Sequence, residues 1–254
     1  MGHGRIDAHT GGFSVGCVVI GVILGSAPPI TAQSTPSPSA WHAWSVAITG
    51  GEPLPGMGGD IEAMLDEAGF GELRPSMCLL FDVLCLAPQQ YPVSTRGGGW
   101  SARIGYRHSR RVELALVAGA ARGETRGYNG GGFGGTLLYV MHGLRLIAPT
   151  AHFRAGPLSA GGGPALYRLH ATARHSESVT SATSAADAVR LGVLVDVGLR
   201  FGLWRALFLE GRYERRIAGA FEAGPWNAGG AAVPRSNVNL DHGYLGLGMG
   251  LEFR

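Results

Sequence analysis

Lysine is missing altogether. Every positive side chain other than histidine is arginine, and 21 basic residues against 18 acidic ones leave a formal net charge of only +3. The arginines are scattered along the chain instead of gathered on one face, which excludes the electrostatic footprint of a nucleic-acid partner. Charge of either sign is scarce, at 15% of residues, whereas 45% are hydrophobic and 43 are glycine. Such a balance excludes a disordered acidic or basic tail and points to many turns and tightly packed strands. Past the amino end no apolar run reaches the roughly 18 residues of a membrane-crossing helix, so none is expected there. No H-E-x-x-H and no paired C-x-x-C is present, and neither a metal nor a cofactor is expected. Gly130 to Gly135 formally fits G-x-G-x-x-G, but no helix follows to hold a phosphate at its N-terminus.

The amino end reads as an export signal. Arg5 precedes an apolar run from Phe13 to Ala27, too short to span a membrane, and Ala32 offers a small residue for cleavage. The expected organisation is a cleavable signal over residues 1–32, a Ser/Pro-rich linker over 33–40 and one domain over 41–254. Gly12 to Gly16 fits the G-x-S-x-G nucleophile elbow but would leave with the signal. Two cysteines remain, Cys78 and Cys85. An even pair in an exported chain fits a disulfide that pins a loop, two separate reduced thiols being the alternative.

What the chain has in abundance is alternation. From Val189 to Phe201 the odd positions Val189, Leu191, Val193, Val195, Val197, Leu199 and Phe201 are apolar, while the even set holds Arg190, Gly192, Asp196, Gly198 and Arg200. Only a period of two separates these sets cleanly, which predicts a strand. The last strand is as regular: Leu245, Leu247, Met249, Leu251 and Phe253 lie on one side, with Tyr244, Gly246, Gly248, Gly250 and Glu252 on the other. Trp44 to Ile48, Trp100 to Tyr106, Val112 to Ala120 and Leu207 to Tyr213 repeat the pattern. Residues 136–147 are apolar on both faces and do not reveal which face is which. Residues 158–169 are glycine-rich and contain Pro164, so a bend or bulge is expected there.

About eight strands result, and the connections alternate in length. Tight turns are expected at 107–111, 148–152 and 201–205, with long connections before residue 98, after 120, over 171–188 and up to Asp241. Together with the export signal and a final strand ending in Phe253, just before Arg254, these features resemble the bacterial outer-membrane β-barrel superfamily, in its small OmpA/OmpX/OmpW-like class. The resemblance implies an all-β, eight-stranded antiparallel up-and-down transmembrane barrel in the bacterial outer membrane. It further implies a monomer in contact with the lipid bilayer and lipopolysaccharide, with Tyr244, Leu251 and Phe253 carrying the signal for the barrel-insertion machinery.

If the aliphatic faces meet lipid, the polar faces meet each other. A barrel of this size has room inside only for side chains. The inward set is then Arg103, Glu113, Arg145, Arg190, Asp196, Arg200, Glu210, Arg212, Glu214 and Glu252. Charges away from water must pair and hydrogen-bond, so an Arg/acid network plugging the lumen is expected and an open general pore is not. In the first long connection Asp60 as N-cap, apolar Ile61, Met64, Leu65 and Ala68, and Gly69 as a stop predict a short amphipathic helix that caps the barrel mouth. The expected role is structural or surface interaction. Passive transport or binding of a small hydrophobic ligand, and a soluble lipocalin-like carrier with the aliphatic faces turned inward, are the alternatives. A lipid-modifying enzyme is the least favoured alternative, and no enzyme is expected. His108 with Ser109, His175 with Ser176 and Glu177, and Asp241 with His242 are adjacent pairs, and neighbours on a strand point apart.

Overall fold

The computed structural model describes residues 42–54, 57–71, 73–74, 89–90, 94–129, 136–176, 183–228 and 231–253. The expected signal and linker, Cys78, Cys85, Gly130 to Gly135 and Glu177 lie outside these. Among the described residues eight long strands close a barrel: β1 (Ala43–Pro53), β2 (Ser94–Arg107), β3 (Val112–Asn129), β4 (Thr136–Ala155), β5 (Leu158–Ser176), β6 (Thr183–Trp204), β7 (Leu207–Ile217) and β8 (His242–Phe253). Each pairs antiparallel with the next, and β8 returns to β1 with Trp44 opposite Phe253 and Pro53 opposite Tyr244. No barrel edge is left for another chain to pair with.

The wall faces its surroundings as the alternation requires. On β8, Leu245, Leu247, Met249, Leu251 and Phe253 are all exposed, as are Val189 through Phe201 on β6 at odd positions. A soluble carrier would bury these side chains, and the lipocalin-like alternative is thereby corrected. Bare aliphatics outside a closed sheet are what a hydrocarbon surrounding demands, since closure satisfies every ladder hydrogen bond within the wall.

Several boundaries move. Residues 148–152 are strand, not turn: β4 runs on to Ala155, and the chain reverses at Gly156–Pro157, where Gly156 takes φ 62°. The next turn is Arg205–Ala206, one residue past the strand end at Trp204, with Arg205 at φ 42°. Much of 171–188 is also strand. Pro164 introduces no bulge in the β4–β5 pairing, because Ile147 opposite Leu166 and Ala151 opposite Gly162 keep one register. Pairing lapses between them, where Pro149 and Pro164 lack N–H donors.

Strands of up to 22 residues exceed the roughly 9–11 needed to cross a bilayer, so the wall continues beyond it on the long-loop side. At that end lies α1 (Gly59–Glu67). Gly58 at φ 84°, not Asp60, is the N-cap residue, while Asp60 Oδ2 accepts the Asn239 N–H at 2.9 Å. Gly69 at φ 81° ends the helix as expected. Its N–H donates to Asp66 O and that of Phe70 to Leu65 O, a Schellman closure. Ile61, Met64, Leu65 and Phe70 are buried in one cluster with Leu138 and Val140 of the wall and with Phe221, Trp226, Val233 and Val238 of two short loop hairpins (220–223 with 236–239, 226–228 with 231–233).

Candidate functional site

The lumen has two storeys. Toward the short turns lies a buried ionic cluster built by side chains that alternate inward from six strands. Arg103 on β2 donates to Glu113 on β3 at 2.7 Å and to Glu210 on β7 at 2.9 Å. Arg212 bridges Glu210 at 2.5 Å and Asp196 on β6 at 2.9 Å. Arg154 donates to the second Glu113 oxygen at 2.9 Å, and Arg107 to Glu252 at 2.6 Å. Arg200 reaches Glu252 at 3.6 Å and Glu113 at 3.7 Å, its guanidinium 4.0 Å above the Phe208 ring. Higher up, Arg216 donates through two nitrogens to Glu214 and lies 4.2 Å over the Tyr244 ring. Buried charges persist only when paired in this way.

Of the residues read from the sequence, Arg103, Glu113, Asp196, Arg200, Glu210, Arg212, Glu214 and Glu252 point inward. Arg145 does not. It stands exposed on the outer face of β4, because a strand apolar on both faces gives no parity signal. Arg190 is exposed too, near the long-loop end of β6, where its Nε donates to Ala220 O at 3.4 Å. The cluster also includes Arg107, Arg154, Arg216 and His152, which the sequence reading omitted; His152 Nδ1 stands 3.4 Å from Asp196. Arg216 shares the parity of Arg212 and Glu214, the signal that could have found it. Leu251 and Phe253 are exposed outward, whereas Tyr244 is buried inside, its hydroxyl donating to Thr49 O at 3.2 Å.

The upper storey is apolar, with two buried imidazoles under α1. His142 Nε2 lies 3.0 Å from Thr125 Oγ1, and His242 Nδ1 donates to Leu240 O at 2.8 Å. His142 lies on the long-loop side of Arg145 on β4, and His242 on the long-loop side of Leu245, the first exposed aliphatic of β8. Burial pushes His142 down to about 4, helped by the neighbouring His242. His242 is likewise lowered to about 4 by burial, with the Leu240 carbonyl opposing and Arg216 and Arg215 assisting.

The outer face changes character where the aliphatic band ends. Just above Ile147 and Leu166, Arg145 and Arg168 stand directly opposite each other across β4 and β5. With Arg122 and Gly143 they line a groove of about 550 Å³ that continues to His170 and Asp187. Like charges opposed across strands repel. Arg168 Nε comes within 3.9 Å of Asp187, while Arg145 has no ion pair among the described residues. Next to this groove Asp187 Oδ1 lies 3.0 Å from His170 Nδ1, and Thr172 Oγ1 lies 2.7 Å from His170 Nε2. The sequence reading considered adjacent residues and missed this pair, whose signal is His-x-Thr: two positions apart, hence on one face.

The adjacent pairs do other work. Ser109 Oγ accepts the Val112 N–H at 3.1 Å in the turn, and Asp241 Oδ1 accepts N–H groups of Ala218 and Gly219 at 2.6 and 3.0 Å. No ion-holding group of three or more His, Cys, Asp or Glu occurs among the described residues.

No protein-family model matches this chain, and none of the curated proteins is similar to it. Solved structures do match. Ail, the attachment invasion locus protein of Yersinia pestis, solved with the heparin analogue sucrose octasulfate, is 14% identical over 84% of this chain and 99% of its own, with a TM-score of 0.40. Neisserial surface protein A is 14% identical over 84% and 96%, with a TM-score of 0.27. The N-terminal β-barrel domain of Pseudomonas aeruginosa OprF is 12% identical over 84% and 98%, with a TM-score of 0.31. Location follows from the wall itself: a closed eight-stranded sheet with an aliphatic outside is a barrel of the bacterial outer membrane.

Proposed function

We propose that this chain is a closed, monomeric outer-membrane barrel whose working surface is its outside, where an arginine collar meets the phosphates of lipopolysaccharide. The buried ion pairs and the apolar cluster inside the barrel support a role other than general diffusion. The observation that carries the reading is the Arg145–Arg168 pair, exposed and opposed at the level where aliphatic side chains give way to charge. Two guanidiniums held face to face gain from an anion that bridges them, and phosphate matches their donor geometry.

Lipopolysaccharide added to the detergent-solubilised barrel is expected to raise its urea unfolding midpoint, and the Arg145→Ser/Arg168→Ser double variant to lose most of that rise while keeping the midpoint of the lipid-free protein. An equal rise in both proteins would refute the collar. A second reading, passage of a small hydrophobic solute, is disfavoured by the apolar cluster that α1 and the loop hairpins form at the mouth.

A further inference from the structure

The relay beside the collar has the connectivity of a nucleophile, a base and a residue that orients the base. With Nδ1–H donating to Asp187, the neutral His170 ring presents Nε2 as an acceptor for the Thr172 hydroxyl, and this one tautomer satisfies both contacts. We propose that Thr172, His170 and Asp187 form a hydrolytic triad on the outer wall that cleaves acyl esters of phosphate-bearing lipids in the outer leaflet.

Position argues for a lipid substrate. His170 pairs with Asp187 one pleat above the opposed Arg168 and Val189, and two above Leu166 and Leu191. The relay therefore stands about 7 Å along the strand from the backbone level of the arginines, and their side chains reach up to it, Arg168 Nε lying 3.9 Å from Asp187. The groove brings Arg145 and Arg168 to the same place. An anchored phosphate would hold the lipid while its acyl chain lies along Leu166, Val189 and Leu191, the positioning that makes attack effectively unimolecular. His170 and Asp187 are about half exposed, 47% and 49%, while Thr172 is 8% exposed against the wall. The base is thus open to substrate and water, and the hydroxyl is held in one orientation.

The chemistry balances with water as the only co-reactant. Thr172 Oγ1 attacks the acyl carbonyl carbon as its proton moves to His170 Nε2. The ester C–O bond breaks, and the departing alkoxide takes that proton from His170. Water then attacks the acyl-threonine, again giving its proton to His170, and the Thr172 C–O bond breaks, returning the proton to Thr172 and releasing a fatty acid. Asp187 is a positioning residue: it fixes the tautomer and stabilises the imidazolium.

This inference rests on the collar reading for how the substrate is held, and the test separates the two. The full chain in mixed micelles is given purified lipopolysaccharide in one arm and phosphatidylglycerol in the other, and released fatty acid is measured by mass spectrometry. Release in either arm, abolished in Thr172→Ala and His170→Asn, retained in Thr172→Ser and unchanged in the turn variant His108→Ala, supports the triad; the active arm identifies the lipid. Asp187→Asn is expected to lower kcat by about 10⁴-fold with KM unchanged, as a reversed tautomer would. Heat-shifted gel mobility verifies that each variant is folded. Release in neither arm, or undiminished release by folded Thr172→Ala, overturns the triad. If lipopolysaccharide still shifts the unfolding midpoint in that case, only the triad falls; if the shift is absent as well, the collar falls with it.

Discussion

At the scale of single residues, the glycines of β8 act as clearance. A Cβ on Gly248 would drive into the Ile48 carbonyl oxygen across the β1–β8 seam, and one on Gly250 into the Phe208 ring that supports Arg200. Gly248→Val is therefore expected to prevent closure, at a cost above the usual 1–3 kcal/mol or so of core overpacking because backbone cannot swing aside. Unheated gel mobility checks it: the variant should run as unfolded, whereas Leu247→Ile, on the outer face of the next residue, should keep the folded band. The glycine rhythm was plain in the sequence, and so was the parity of Arg103, Asp196, Glu210 and Arg212. Arg145 was misplaced because its strand is apolar on both faces. The His170–Thr172 pair is not legible from adjacency, because a strand sends adjacent residues to opposite sides of its wall and brings together those two apart.

At the scale of elements, alternation identified strands but not their ends. Periodicity ceases to be informative where the wall leaves the bilayer, since both faces of β5 and β6 can then be polar, and residues 171–176 and 183–188 read as loop for that reason. The turn at Gly156–Pro157 was hidden because Pro149, an apparent breaker, sits inside β4 where the β4–β5 ladder lapses. The helix was legible from its apolar spacing and terminal glycine; its N-cap was not, because Gly58 meets the need by backbone conformation and not by a side-chain oxygen. The outward faces carry the prediction at this scale. Leu247, 69% exposed, lies mid-strand in the aliphatic band, and Leu247→Arg is expected to cost about 2–4 kcal/mol in a bilayer. Folding titrations in lipid vesicles should show that loss, while Gly211→Ser, on the neighbouring strand where the outer wall is already bare, should show much less. Equal stability of Leu247→Arg and wild type would mean that this face does not meet hydrocarbon.

For the whole molecule, the division of the lumen decides how it responds to acid. The upper storey, whose apolar cluster includes Trp226, also holds two buried imidazoles that remain neutral in the folded chain until about pH 4. Unfolded, the same rings take up protons near pH 6.5. Between these values the unfolded chain binds more protons than the folded one, so stability must fall as the pH is lowered. The contribution is complete above about pH 6.5 and gone near pH 4, on the order of 3 kcal/mol for each ring. Lowering the pH from 7.5 to 4.5 in a detergent of constant charge should therefore reduce the urea midpoint followed by tryptophan fluorescence. The His142→Gln/His242→Gln variant should show a markedly smaller reduction, since its upper storey has no ring to protonate. An identical acid response in both proteins would place the proton-sensitive groups elsewhere, in the ionic storey below. A smaller response in the variant makes the mouth the part of the barrel that acid loosens first, ahead of the arginine and carboxylate cluster beneath it.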